Sequence, residues 1–342
     1  MHICKERFTL YAVTDRKWLK KGETLAKQVE QAILGGVTVV QLREKHADYE
    51  TFLQQAREVK QITDKYDVPL IINDNIDIAL FSAGGAVSKE YAPIAASKGA
   101  VVIDNSSAWR MDDDCALIVP EINIDDAYSK SNIIANPNCS TIQSVLPLKP
   151  LSDKFGLKKV NYTTYQAVSG SGQKGVNDLN RCKNGEEPEF YPYDISRTCI
   201  PEIDEFLSDG YTKEEMKMVN ETRKILHLPN LLVSATCIRV PVESCHGVMM
   251  QVELEKEFTL EEVRDALKAY PGIVLYDDPK NHIYPNSIVA TDKDLVYVGR
   301  IRRDLATPNG LLLYCVADNI RKGAASNAVQ IALALDIDKC KK

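Results

Sequence analysis

Apolar and polar positions in the first 75 residues alternate between strand-like runs and helical stripes. Residues 8–13 form an apolar run that predicts a buried strand. Leu25, Val29, Ala32 and Ile33 recur at helical spacing and stop at Gly35-Gly36. Residues 37–42 predict a second strand. Asp48 is a candidate cap for a second helix, with the stripe Phe52, Ala56, Val59 and Ile62. Residues 68–73 predict a third strand. A β-α-β-α-β order implies parallel strands joined by right-handed crossovers.

The alternation continues with a strand at 76–82 and a helix through 91–98. A strand at 100–104 and short ones at 116–120 and 133–137 follow, and a helix starts after Cys139. Beyond about residue 158 the period changes. Residues 160–168, 235–242, 248–254, 296–300 and 311–317 alternate or run apolar with few helices between them, which predicts a mixed or antiparallel sheet. Helices are expected near 212–226 and at 260–269 and 323–336. The fold class is α/β, with a parallel sheet followed by an α+β domain.

Composition narrows the partners. At roughly 150 residues per domain, 342 residues suggest two domains. A net charge of −6 argues against nucleic acid or an anionic membrane as the main partner. No apolar run approaches the ~20 residues that span a bilayer. The start, MHICKERFTLYAVTD, has no apolar stretch followed by a small-residue cleavage site, so no signal peptide is expected. Nine cysteines without a CxxC pair suit a reducing cytoplasm better than a disulfide framework or a zinc ribbon, and no metal site is expected.

Asn138-Cys139-Ser140-Thr141 follows a strand and opens a helix. A thiol at a helix N-terminus feels the positive end of the dipole, so a lowered pKa and a nucleophilic thiolate are expected. The competing reading is a small buried hydrophobe. His246, in a loop just after a strand, is a candidate general base or a structural histidine. Arg239 sits in an apolar strand, as a snorkelling edge residue or a clamp on a carboxylate. Val168-Ser169-Gly170-Ser171-Gly172 lets backbone approach a ligand closely, or makes a plain turn.

From Asp77 onward the chain resembles the bacterial aspartate-β-semialdehyde dehydrogenases. The resemblance rests on DIALFSAGG (77–85), VVIDNSSAWR (101–110), PNCSTIQ (137–143), TYQAVSGSG (164–172), YTKEEMKMVNETRKI (211–225), SATCIRVPV (234–242), IYPNSIVA (283–290), VYVGRIRRD (296–304) and DNIRKGAASNAVQIA (318–332). It implies NADPH-dependent reductive dephosphorylation of L-aspartyl-4-phosphate, on the route to lysine, threonine and methionine. It also implies a cytoplasmic homodimer formed through the C-terminal sheet domain. By resemblance, Cys139 forms an acyl-thioester, Gln166 holds the substrate and His246 moves the proton. Arg239 grips the substrate carboxylate and Glu221 its amino group. Arg110 and Lys224 form the phosphate site. Ser169, Gly170 and Asn319 meet the nicotinamide end of NADP.

The first 76 residues instead resemble thiamine phosphate synthase, a TIM barrel, through LYAVTD (10–15), VVQLREK (39–45) and PLIINDNIDIAL (69–80). That family implies pyrimidine diphosphate contacts from Gln41, Arg43 and Lys45, pyrimidine contact from Asn73, and Mg²⁺ binding through Asp74. The chain therefore reads as a chimera joined near Asp77. Its expected parts are a synthase-like fragment (1–76), the rest of a Rossmann-like nucleotide-binding domain (77–137), a catalytic and dimerisation domain (138–318) and a returning helix (319–342). The slice at 8–73 is expected to adjoin the strand at 76–82 and replace the first half of the Rossmann-like sheet.

A barrel needs eight βα units and about three are present, so synthase activity is not expected. The turn after the first strand reads Arg16-Lys-Trp-Leu-Lys-Lys-Gly22, without the glycines that let backbone approach a pyrophosphate. NADP binding is expected to be impaired. The alternatives are a thiamine phosphate synthase fragment, of the transferase class, and a non-catalytic dimerising subunit fragment.

Overall fold

A computed structural model of the chain describes residues 10–14, 19, 22–43, 49–68, 70–73, 77–128 and 131–336. The chain divides into two compact units, Met1–Ile76 and Asp77–Lys342.

In the first unit, β1 (Tyr11–Val13), α1 (Leu25–Leu34), β2 (Val39–Arg43), α2 (Tyr49–Lys65) and β3 (Leu70–Asn73) follow in order. The three strands pair in parallel as β1-β2-β3. Thr24 caps α1, its hydroxyl oxygen accepting the N–H of Lys27. Leu25 and Val29 of α1 and Phe52, Ala56 and Val59 of α2 share a core with Val40 and Leu42. The expected cap Asp48 lies outside the described residues.

The second unit opens with β4 (Ile78–Phe81), α3 (Gly85–Ser97), β5 (Val101–Asp104), β6 (Ala116–Leu117), α4 (Pro120–Asn123) and β7 (Ile133–Ala135). These strands form a parallel sheet in the order β4-β5-β7-β6. All four residues of β5 are buried, as expected of a parallel strand covered on both faces. β4 is an edge strand of this sheet, and among the described residues β1–β3 pair only with one another.

The chain continues through α5 (Cys139–Phe155), β8 (Leu157–Gln166), α6 (Gln173–Lys183), α7 (Lys213–Ile225), β9 (Leu232–Arg239), β10 (His246–Leu254), α8 (Leu260–Ala269), β11 (Ile273–Leu275), α9 (Ser287–Ala290), β12 (Val296–Arg303), β13 (Gly310–Ala317) and α10 (Ser326–Ala334). The strands build a six-stranded mixed sheet in the order β11-β12-β13-β10-β8-β9. Only β11-β12 and β8-β9 are parallel pairs.

Helix α5 is buried nearly all round despite Pro147 and Pro150. Ile142, Val145, Leu146, Leu148 and Leu151 pack into one core with Val160, Tyr162, Val248, Met250 and Leu313. Each such side chain contributes about 1.5–3 kcal/mol on burial, so the helix start at Cys139 is held by a rigid body. After β13 a π-helical turn, Arg321–Ala325, leads into α10. It is anchored by the fully buried Lys322, whose ammonium donates to Glu121, Asn327 and Gln330 at 2.7–3.0 Å.

No described helix is long and apolar enough to cross a membrane. The cysteines among the described residues are unbridged, and those residues hold no cluster suited to a metal ion.

Candidate active site

Asn136-Pro137-Asn138 carries the chain from β7 into α5. Asn138 is the N-cap, with extended backbone (φ −61°, ψ 144°), and its side-chain oxygen accepts the N–H groups of Ser140 at 2.9 Å and Thr141 at 3.3 Å. Cys139 is therefore the first helical residue. Burial pushes its thiol up to about 11. Glu214 pushes the same way, while Arg239, Arg110 and the Ser140 N–H oppose them. The expected thiolate is corrected for the unliganded chain, because desolvation outweighs the helix end.

Cys139 opens into a cavity of about 400 Å³ whose wall includes Arg110, Asn138, Gln166, Gly170, Glu214, Lys217 and Arg239. A larger cleft of about 690 Å³ lies along α6. Its Arg181 is already paired with Glu186 and Glu189, at 3.2 and 3.0 Å.

Gln166 ends β8 and Arg239 ends the neighbouring β9 at the same register. The Nε2 of Gln166 donates to Glu214 Oε1 at 3.1 Å and to Thr164 Oγ1 at 3.3 Å. Arg239 is only 4% exposed, so it is not a snorkelling edge residue. Its Nη1 donates to the Ala167 carbonyl at 2.7 Å, and it pairs with no carboxylate among the described residues.

His246 begins β10 and is fully buried. Its Nδ1 accepts the Ala167 N–H at 3.0 Å, while its Nε2 is buried with no hydrogen-bond partner. Burial and the nearby Arg239 charge hold its pKa well below the usual 6.5. His246 stands behind Gly170: a Cβ at that glycine would lie 3.0 Å from Nε2 and 2.8 Å from Arg239 Nη1.

The structure does not bring Glu221 and Lys224 to the Cys139 cavity, and this corrects the expected pair. Glu221, 1% exposed, spends its carboxylate on Arg110 Nη1 at 3.2 Å and on the Asn138 N–H at 2.7 Å. Lys224 donates to the carbonyls of Arg110 and Asp112 at 2.9 and 2.7 Å. Two turns earlier on α7, Glu214 and Lys217 occupy the wall instead. Glu214 Oε1 accepts from Asn138 Nδ2 at 2.9 Å as well as from Gln166. Lys217 Nζ donates to Asp204 at 2.7 Å and to Glu214 Oε2 at 3.1 Å. Both pairs have the spacing Glu-x-x-Lys, seven residues apart on one helix face, so the motif alone could not choose between them.

Arg110 is held by the carbonyls of Asn136 and Asn105, at 2.9 and 3.0 Å, besides Glu221. Ser169 and Asn319 join through hydrogen bonds of 3.0–3.2 Å, next to Gly170. Gly323 was not anticipated. A Cβ there would lie 3.0 Å from Cys139 Cβ, so the π turn passes close against the thiol residue.

In the first unit, Arg43 and Asn73 are register partners at the ends of β2 and β3, and Gln41 lies on β2 opposite Ile71. Lys45 and Asp74 lie outside the described residues.

Residues 148–322 match the family model for the semialdehyde dehydrogenase dimerisation domain. Residues 10–87 match the model for thiamine monophosphate synthase. An aspartate-semialdehyde dehydrogenase of Aquifex aeolicus is 52% identical over 297 residues, covering 82% of this chain and 87% of the relative. One of Campylobacter jejuni is 48% identical over 292 residues, covering 82% and 83%. The crystal structure of aspartate semialdehyde dehydrogenase II from Vibrio cholerae aligns with a TM-score of 0.74 at 37% identity, over 95% of this chain and 97% of that one. The Candida albicans enzyme solved with NADP shares the fold, with a TM-score of 0.61 at 24% identity over 86% of this chain and 85% of that one. By its identity to relatives that it matches over most of its length, the chain belongs to the aspartate-semialdehyde dehydrogenase family.

Proposed function

We propose that the Cys139 cavity carries out the reductive dephosphorylation of L-aspartyl-4-phosphate to L-aspartate 4-semialdehyde. The observation that carries this reading is Arg239, a buried guanidinium on the cavity wall with no carboxylate partner among the described residues. A cation in that state is stabilised by an anion that enters with the ligand, and the substrate α-carboxylate suits its fork. Glu214, on the same wall, suits the substrate amino group. Lys217 and Arg110 suit the phosphate. Gln166, steadied by Glu214 and Thr164, aligns the acyl group.

The thiol sulfur of Cys139, once deprotonated, attacks the acyl carbon. The carbon–oxygen bond to phosphate breaks, phosphate leaves towards Arg110 and Lys217, and the acyl group stays on sulfur as a thioester. When bound, a nicotinamide cofactor would supply hydride to that carbon, and breaking of the carbon–sulfur bond would free the aldehyde and restore the Cys139 thiolate. His246, whose buried Nε2 has no partner among the described residues, is the group that takes up the thiol proton.

The residues present fit the nicotinamide end of NADP: the Ser169–Asn319 pair lies next to Gly170, which lines the Cys139 cavity. They do not fit the pyrophosphate end. The sequence Arg16 to Gly22 has one glycine among bulky residues, unlike the glycine-rich turns that let backbone approach a pyrophosphate. Losing several phosphate hydrogen bonds at about 1.5–3 kcal/mol each weakens binding by orders of magnitude. On this reading residues 77–137 and 319–342 form the cofactor side, and 138–318 the catalytic and dimerising side.

Residues 1–76 are a thiamine phosphate synthase-like segment that stands in for the family's first βα units. The match over residues 10–87 and the placement of Arg43 and Asn73 at strand ends support this. Three strands of an eight-stranded barrel do not complete the synthase site. A homodimer through the six-stranded sheet is supported by the matched dimerisation domain and by the exposed Tyr165 and Leu232 on its strands.

The test is to mix the chain with L-aspartyl-4-phosphate without cofactor and follow phosphate release and the mass of Cys139. An acyl adduct on Cys139 that disappears in Arg239→Leu is expected. Acylation of another cysteine, or none, contradicts the reading.

A further inference from the structure

Gln143 is fully buried on α5, one helical turn after Cys139 and on the same side of the helix. Its Nε2 donates to the His246 carbonyl at 3.0 Å. Turning the amide over would set two oxygens against each other, so that carbonyl decides which end is nitrogen. The other neighbour of Nε2 is the Cys315 sulfur, a weak acceptor at 3.8 Å. The Oε1 is buried without a hydrogen-bond partner among the described residues.

Core packing does not account for this side chain. Its neighbours along α5, Ile142, Val145 and Leu146, belong to the apolar core. A buried amide oxygen with no partner costs stability, and a methionine of similar volume would carry no such cost. What the carboxamide supplies is the bond to His246.

That bond falls where the sheet holds the chain least. His246 is the first residue of β10 and registers with Ala317 of β13, but the ladder with β8 begins only at Gly247. The chain arrives through Cys245 at φ 72°, a left-handed conformation uncommon outside glycine. Beyond the sheet, the His246 Nδ1 accepts the Ala167 N–H at 3.0 Å, and the Cys245 N–H donates to Asn319 Oδ1 at 3.0 Å. The Gln143 bond runs instead to the helix that begins at Cys139.

We propose that Gln143 is a positioning residue for the thiol chemistry. By holding the His246 carbonyl on α5, it fixes the imidazole that takes up the thiol proton relative to the Cys139 sulfur. This rests on the thioester reading of the cavity. Gln143 is not on the cavity wall, so a change there leaves Arg239, Glu214 and Lys217 free to bind the substrate.

The test compares the full chain with Gln143→Met, which keeps the volume and removes the donor. Deuterium exchange at the Ala167 amide, whose N–H is held by the His246 ring, reads the ring's placement without any turnover. Exchange there should speed up about tenfold, while exchange across the rest of β10 and the urea midpoint keep parent values. Acylation of Cys139 by L-aspartyl-4-phosphate should keep its half-saturating concentration and lose about 10- to 100-fold in limiting rate. Gln143→Glu, whose buried carboxylic acid keeps an O–H donor, should restore both. Parent-like exchange or a parent-like limiting rate in Gln143→Met overturns the proposal, and so does a Gln143→Glu chain that behaves as Gln143→Met does. Faster exchange spread evenly over β10, or a raised half-saturating concentration, marks a packing defect and overturns it too. If the parent chain is not acylated, the thioester reading fails, and Ala167 exchange still decides whether Gln143 holds His246.

Discussion

Glu221 Oε1 lies 3.2 Å from Arg110 Nη1, in an ion pair that solvent scarcely reaches. The other Glu221 oxygen takes the N–H of Asn138, one residue before Cys139. One carboxylate thus ties the cavity arginine to the start of α5. Removing one partner of a buried pair leaves an uncompensated charge, at a cost of about 3–5 kcal/mol. Glu221→Ala is expected to lower stability in urea by that amount. A loss under about 1 kcal/mol would mean that the pair does not hold the site together.

The two Glu-x-x-Lys pairs of α7 separate cleanly by experiment. Inorganic phosphate is expected to protect Cys139 from alkylation through Lys217 and Arg110. Lys217→Ala removes a charged hydrogen bond and should weaken protection by about 10- to 100-fold. Lys224→Ala should leave it unchanged, because that ammonium is spent on two carbonyls. The reverse pattern would return the phosphate site to Lys224.

The thiol should titrate late. Burial and Glu214 push Cys139 up to about 11, and Arg239 and Arg110 oppose them. Iodoacetamide alkylation in the unliganded chain is expected to rise about tenfold per pH unit between about pH 7 and about pH 9. Glu214→Gln removes an anion and should lower the midpoint, whereas Arg239→Gln removes a cation and should raise it. A plateau below about pH 8 in the parent chain would contradict this assignment.

Sedimentation should find a dimer at micromolar concentration. Tyr165, 40% exposed on β8 of the mixed sheet, is the position to charge. Tyr165→Asp is expected to weaken association while Cys139 labelling persists. A monomeric parent chain would remove the sheet from consideration as an interface.

Much of this architecture was legible because strong local signals agreed. Asn138 and Cys139 were readable as cap and first residue, since strand, proline, Asx cap and apolar helix occur in sequence. The mixed sheet was legible from its alternating runs. Helix α6 was not, because Val176, Leu179 and Cys182 are almost its only apolar contacts. The burial that pushes the Cys139 thiol up comes from distant segments and leaves no local mark in the sequence. The choice between Glu214 and Glu221 depended on where α7 meets the cavity, and the close approach of Gly323 to Cys139 joins residues 184 positions apart.

The central claim is that thioester chemistry survives in residues 77–342 while cofactor capture does not. It is tested by measuring steady-state NADPH-linked turnover beside mass-spectrometric acylation of Cys139 on one preparation. The expected result is stoichiometric acylation of Cys139, with turnover at micromolar NADPH lower by orders of magnitude than in an intact family member. Turnover equal to that of an intact member would contradict it.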